Sequence, residues 1–120
     1  MIIPILEKID SYISDEASSF FIMEPEGLPC FLQFAKVGEV LLLDIPSSNF
    51  FYDEMESQLN ELLKIKYNKN AISVNENNRI VSYQVRFSKA ESNKMCYIAK
   101  DIFQTIFMVE EDSDMSIVMR

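Results

Sequence analysis

The stretch CFLQFAKVGEVLLLDIPSSN, residues 30–49, decides the fold. It holds two apolar runs of strand length, 30–35 and 39–45, separated by Lys36, Val37 and Gly38. A glycine between two such runs supplies the positive-φ backbone that a tight reversal needs, so the pair reads as an antiparallel hairpin. Pro46 then removes a backbone donor, and Ser47, Ser48 and Asn49 are residues that begin helices rather than extend sheets.

Upstream, residues 19–24 form another apolar run, and Pro25, Glu26 and Gly27 make the turn into 30–35. Three strands joined by short loops predict an antiparallel meander. Before them, Ile2, Ile5, Leu6, Ile9, Tyr12 and Ile13 recur at spacings of three and four, which predicts a helix over about 3–14 with Pro4 tolerated in its first turn.

Downstream, Phe51, Met55, Leu59, Leu62 and Leu63 form the buried stripe of a second helix. Ser48 or Asn49 is expected to cap it, and Asp53 and Glu54 suit the positive end of its dipole. A second hairpin follows: 71–74, a turn at Asn75, Glu76, Asn77 and Asn78, and 79–87. Its second strand alternates, with Ile80, Ser82, Gln84 and Arg86 on one face and Val81, Tyr83, Val85 and Phe87 on the other. Ser88 and Glu91 match a capping box, opening a third helix whose apolar face is Met95, Ile98, Ala99, Ile102, Phe103, Ile106 and Phe107. Residues 115–119 read as a short extra strand or a frayed end to an acidic tail, 109–120.

The expected architecture is a single α+β domain over 1–120, in the order α-β-β-β-α-β-β-α, an antiparallel sheet with helices packed on it. At 120 residues the chain can bury a modest core without staples. Cys30 and Cys96 sit among apolar neighbours and are expected to be buried free thiols. The first residues show no basic segment of a signal peptide and no run long enough to span a bilayer, so a cytoplasmic protein without membrane attachment is expected.

Histidine is absent, which removes the commonest general base and metal ligand, and only two glycines are present, too few for a phosphate-cradling loop. The cysteines lack zinc spacing, and the carboxylate clusters do not match a calcium loop. No cofactor, metal or catalytic residue is expected, and the chain is expected not to be an enzyme.

The net charge of −8 is unevenly spread. Residues 1–60 hold eleven acids and two bases, whereas 61–120 hold eight acids and nine bases, most of them between Lys64 and Lys100. That basic stretch could serve a weak nucleic-acid contact, a counter-charge to the acidic half, or a docking face for an acidic partner. Nucleic acid is not the expected partner, because the acidic remainder repels phosphate.

Binding to protein survives this elimination. Phe20 to Met23 and Leu41 to Leu43 run consecutively apolar, so both sheet faces look apolar, and a second layer, a twin subunit or a client chain must cover one of them. The expected partner-binding residues are Phe21, Met23, Leu41, Leu43, Phe103 and Phe107, and the expected partner is a protein or peptide client or a twin in a homodimer.

Residues 28–35 (LPCFLQFA), 38–40 (GEV), 44–51 (DIPSSNFF) and 98–103 (IAKDIF) resemble the type III secretion chaperone-like fold group, which also holds the YbjN-like sensory-regulator family. The similarity in element order covers nearly the whole chain. An aromatic-Gly-Trp element often found after the second helix in that group is replaced here by Lys66, Tyr67 and Asn68. The resemblance implies a small acidic protein, often dimeric, that binds an extended segment of a client along its sheet and helix surfaces.

Overall fold

The computed structural model describes residues 20–50, 54–110 and 113–119, together with Glu7 and Ser11. Of the helix expected over 3–14, only Glu7 and Ser11 are described, both helical; its remainder lies outside the described residues, as do Phe51 and Asp53.

The meander forms as β1 (Phe20–Pro25), β2 (Leu32–Val37) and β3 (Val40–Pro46). Strand β2 runs two residues further than the sequence suggests, so the β2–β3 loop is the pair Gly38 and Glu39, with Val37 opposite Val40. Gly38 has φ +60°, the left-handed value that a two-residue hairpin requires at its first loop position. After a 3-10 turn (Ser47–Asn49) comes helix α1 (Glu54–Tyr67), with Glu54 and Glu56 in its first turn and Lys64 and Lys66 in its last, in keeping with its dipole.

The second hairpin is β4 (Ile72–Glu76) and β5 (Arg79–Ser88). Its loop is Asn77 and Asn78, both left-handed at φ 51° and 64°, the I′ pattern whose twist matches the flanking strands. Asparagine is the non-glycine residue best able to adopt that backbone. The capping box then forms: the Glu91 carboxylate accepts from the Ser88 N–H at 3.0 Å. Helix α2 (Ser92–Asp101) continues into a π turn (Ile102–Ile106), in which the Phe107 N–H reaches the Ile102 carbonyl at 3.0 Å. Residues Met115–Met119 form a strand, β6, beside β1.

The six strands are antiparallel in the order β4-β5-β3-β2-β1-β6, an α+β architecture. The meander is contiguous, and the α1 crossover brings β5 against β3, so the later hairpin extends the same sheet. Side chains of alternate parity point to opposite faces. One face carries Phe21, Met23, Leu32, Phe34, Leu41, Leu43, Ile45, Tyr83, Val85 and Phe87, all buried in one cluster with Met55, Leu59 and Leu63 of α1 and the inward stripe of α2. Phe21 and Phe34 stack at 4.5 Å between ring centres, tying β1 to β2 inside that core.

Candidate functional site

The partner-binding residues expected from the sequence fall mostly in the core. Phe21, Met23, Leu41, Leu43 and Phe103 are wholly buried, and Phe107 is half-buried against Phe103 and Phe50. The structure brings all six to one side of the sheet, beneath the helices, where the first five present no surface. For the four strand residues the reason is parity: in a run of consecutive apolar residues, one-residue steps alternate between the faces, and in β1 and β3 the inward members are the odd-numbered ones.

The even-numbered residues of β1 and β3, with the odd-numbered residues of β2, make the outer face. Phe20, Ala35, Leu42 and Arg86 lie in one cross-strand row, and Ile22, Gln33, Asp44, Gln84 and Ile72 in the next. Phe20, Ile22, Ala35 and Leu42 are half-buried, and Ile72 is 55% exposed. A groove of about 350 Å³ opens over this face, lined by Phe20, Gln33, Ala35, Leu42, Asp44 and Gln84. The Gln84 amide donates to the Asp44 carboxylate at 3.2 Å, setting a polar strip within an apolar surface.

A second groove, about 370 Å³, runs between α1 and the π turn past Leu62, Ile65 and Thr105, with Gln58, Glu61 and Lys66 also lining it. Ile65 is 76% exposed there, a large apolar side chain left in water.

Six of the eight bases in the basic stretch fall into two sets. Lys66 pairs with Asp101 at 2.7 Å, and the Tyr67 hydroxyl donates to the same carboxylate, which fastens the end of α1 to the end of α2. Lys69 donates to the Arg86 carbonyl at 3.0 Å, pairs with Glu91 at 3.1 Å and lies 4.8 Å over the Phe87 ring. The Glu91 carboxyl is held below its ordinary value by the Ser88 N–H first and by Lys69 second. Lys89 approaches Glu39 at 3.5 Å. These three lysines serve as internal counter-charge, whereas the side chains of Lys64, Arg79 and Arg86 are exposed and take part in none of these pairs.

Compared with family models, curated proteins and solved structures, the chain has no match. The reading of function therefore stands on this geometry. Among the described residues no cluster of three or more His, Cys, Asp or Glu is placed to hold a metal ion. None of the described helices is long and apolar enough to cross a membrane. Cys30 and Cys96 are both buried, and burial pushes the Cys30 thiol above its ordinary value, away from the reactive thiolate.

Two tyrosines carry a pH dependence. Burial first, and the Glu56 carboxylate second, push Tyr83 up to about 12, and burial with Asp101 pushes Tyr67 up as well. A hydroxyl whose folded pKa is raised stabilises the fold below its unfolded value of about 10, and that stability is lost as pH rises past it. Stability is therefore expected to fall from about pH 10 upward. Tyr67→Phe together with Tyr83→Phe should flatten that alkaline decline, as read by urea midpoints between about pH 8 and pH 11. An unchanged slope in the double variant would contradict the assignment.

Proposed function

We propose that the protein is a non-enzymatic binding module that holds an extended segment of another protein along the outer face of its sheet, in the manner of secretion chaperones or YbjN-like adaptors. The observation that supports this most is the unequal state of the two sheet faces. The inner face is sealed by α1, α2 and the π turn, yet the outer face keeps Phe20, Ile22 and Leu42 half-buried around a groove and leaves Ile72 in water. An apolar strip interrupted by Gln33, Asp44 and Gln84 suits a peptide: side chains of one parity meet apolar surface, and its amides meet hydrogen-bonding groups.

A second copy is the alternative occupant, favoured by the exposed Ile65 beside Leu62 on α1. A nucleic-acid role draws little support, because Lys66, Lys69 and Lys89 are already engaged with carboxylates.

The test is selection from a displayed library of random linear peptides, followed by titration of the enriched sequences. Enrichment of apolar peptides, bound at about micromolar strength and weakened at least about tenfold by Leu42→Glu, supports the reading. Leu42 is only half-buried and lies across from Arg86, so the variant should keep its fold. A library that yields no enriched sequence, or peptides that bind the variant as well as the parent, would sink it.

A further inference from the structure

Among the described residues the sheet ends at two edges of opposite electrostatic character. At one end is β6, which follows Glu110, Glu111, Asp112 and Asp114 in the chain. At the other is β4, which lies within the most basic part of the molecule. Residues 64–88 hold five bases against the single acid Glu76, a balance of +4 in a chain of −8. Two of those bases are engaged internally, Lys66 with Asp101 and Lys69 with Glu91. The other three lie on the elements that adjoin β4: Lys64 is in the last turn of α1, four residues before the loop that enters β4 at Ile72; Arg79 lies opposite Glu76 at the hairpin end; Arg86 is two residues beyond Gln84, the partner of Ile72. All three are exposed.

The edge itself has the composition of a pairing strand. Ile72, Ser73 and Val74 are uncharged, Ile72 and Val74 are of high β propensity, and the strand carries four exposed residues of five. Exposed edges are ordinarily blunted by charge or by a bulge. Here both devices sit at the far end, in the register shift between Val74 and Asn75 and in Glu76, so residues 72–74 stay regular.

We propose that the β4 edge is where a client adds a strand, and that the segment it takes is extended, acidic on one or both faces, and β-branched or apolar in between. Backbone amides and carbonyls of the client pair with the outer side of β4, its apolar residues continue the outer face past Ile72, and its acids meet Lys64, Arg79 and Arg86. A basic segment is excluded by the same three cations, and the β6 edge repels an acidic one. This deepens the reading of the chain as a holder of extended segments and rests on it.

The test uses the intact protein and a fluorescent peptide of about twelve residues, alternating Val and Glu, followed by anisotropy. Saturable binding is expected, weakened at least about tenfold in the variant carrying Lys64→Glu, Arg79→Glu and Arg86→Glu, and weakened by raising ionic strength from about 0.05 to about 0.5 M. Methylating alternate amides of the peptide, in one of the two possible phases, should abolish binding while leaving its charge intact. Amide hydrogen exchange in Ile72–Glu76 should slow when the peptide is bound.

Equal binding of a Val-Lys peptide, indifference to both methylation phases, or protection confined to β6 would overturn the proposal. Slowed exchange in β4 that appears with protein concentration alone would assign the edge to a second copy and overturn the client. If the Val-Glu peptide fails while library-selected peptides still bind the parent and not Leu42→Glu, the edge assignment falls alone and the outer-face reading stands.

Discussion

Phe103→Asp abolishes folding; it does not release a partner from an otherwise intact protein. Phe103 is wholly buried at the π turn, 6.1 Å from the Phe107 ring centre and inside the same cluster as the inner sheet face. Removing a buried aromatic costs about 3–5 kcal/mol. Placing an ionised carboxylate in the same space adds several more, roughly, because nothing in the cluster offers a cation. A domain of this size has about 5–15 kcal/mol in total, so the sum leaves no stable native state. Circular dichroism during urea titration should show no cooperative transition for the variant. Phe103→Leu separates the two accounts of this face, since it keeps the apolar character and should lose only about 1–2 kcal/mol with binding unchanged. A folded Phe103→Asp protein with a parental urea midpoint would show that the last helix faces a partner after all.

Much of the fold is readable from local pattern. The alternation over 79–87 assigns Tyr83, Val85 and Phe87 to the inner face, where they are found. The capping box at Ser88 and Glu91 marks the start of the last helix to within a turn. Glycines mark the two reversals of the meander, and the tail strand, left open between a strand and a frayed end, pairs with β1. These signals are legible because their causes act within a few residues.

The site is less legible because its causes act at a distance. Phe20, Phe21, Ile22 and Met23 are equivalent by composition, and only the registers with β2 and β6 decide that Phe21 and Met23 turn inward while Phe20 and Ile22 turn outward. A one-residue choice of parity exchanges core for surface along the whole strand. The division of the lysines is likewise invisible locally, since Lys66 meets Asp101 at a separation of 35 residues and Lys69 meets Glu91 at 22. The π turn carries no signature of its own: Ile102, Phe103 and Ile106 fit the helical stripe and are all buried. Its exit is marked only by Met108 at φ 58°, a backbone that methionine adopts at some cost, with the Val109 N–H reaching the Phe103 carbonyl at 2.8 Å.

Asn49 joins both lessons and carries the second large effect. Its place after Pro46, Ser47 and Ser48 predicts a helix cap at a helix start that lies outside the described residues, and its side chain is buried completely. The amide oxygen accepts from the Phe31 N–H at 2.9 Å, and the amide nitrogen donates to the Phe31 carbonyl at 2.6 Å. One side chain thus satisfies both backbone groups of a residue 18 positions away, just ahead of β2, as a neighbouring strand would. It also fixes Phe50, whose ring lies 5.3 Å from Tyr83 and 6.3 Å from Phe107.

Asn49→Ala strands a donor and an acceptor in a partly buried site, each costing about 1–3 kcal/mol, so a loss of roughly 2–5 kcal/mol is expected in urea unfolding. Asn49→Asp discriminates a clamp from mere space filling. It keeps an acceptor for the Phe31 N–H but sets a second oxygen against the Phe31 carbonyl, which favours the protonated acid and raises its folded pKa. A raised carboxyl stabilises the fold relative to its ionised form only at low pH. The deficit of Asn49→Asp against the parent should therefore be full at pH 7 and shrink as pH falls below about 5, where the acid can donate. If the deficit is the same at both pH values, or if Asn49→Ala unfolds at the parental midpoint, the two hydrogen bonds do not hold β2 in place.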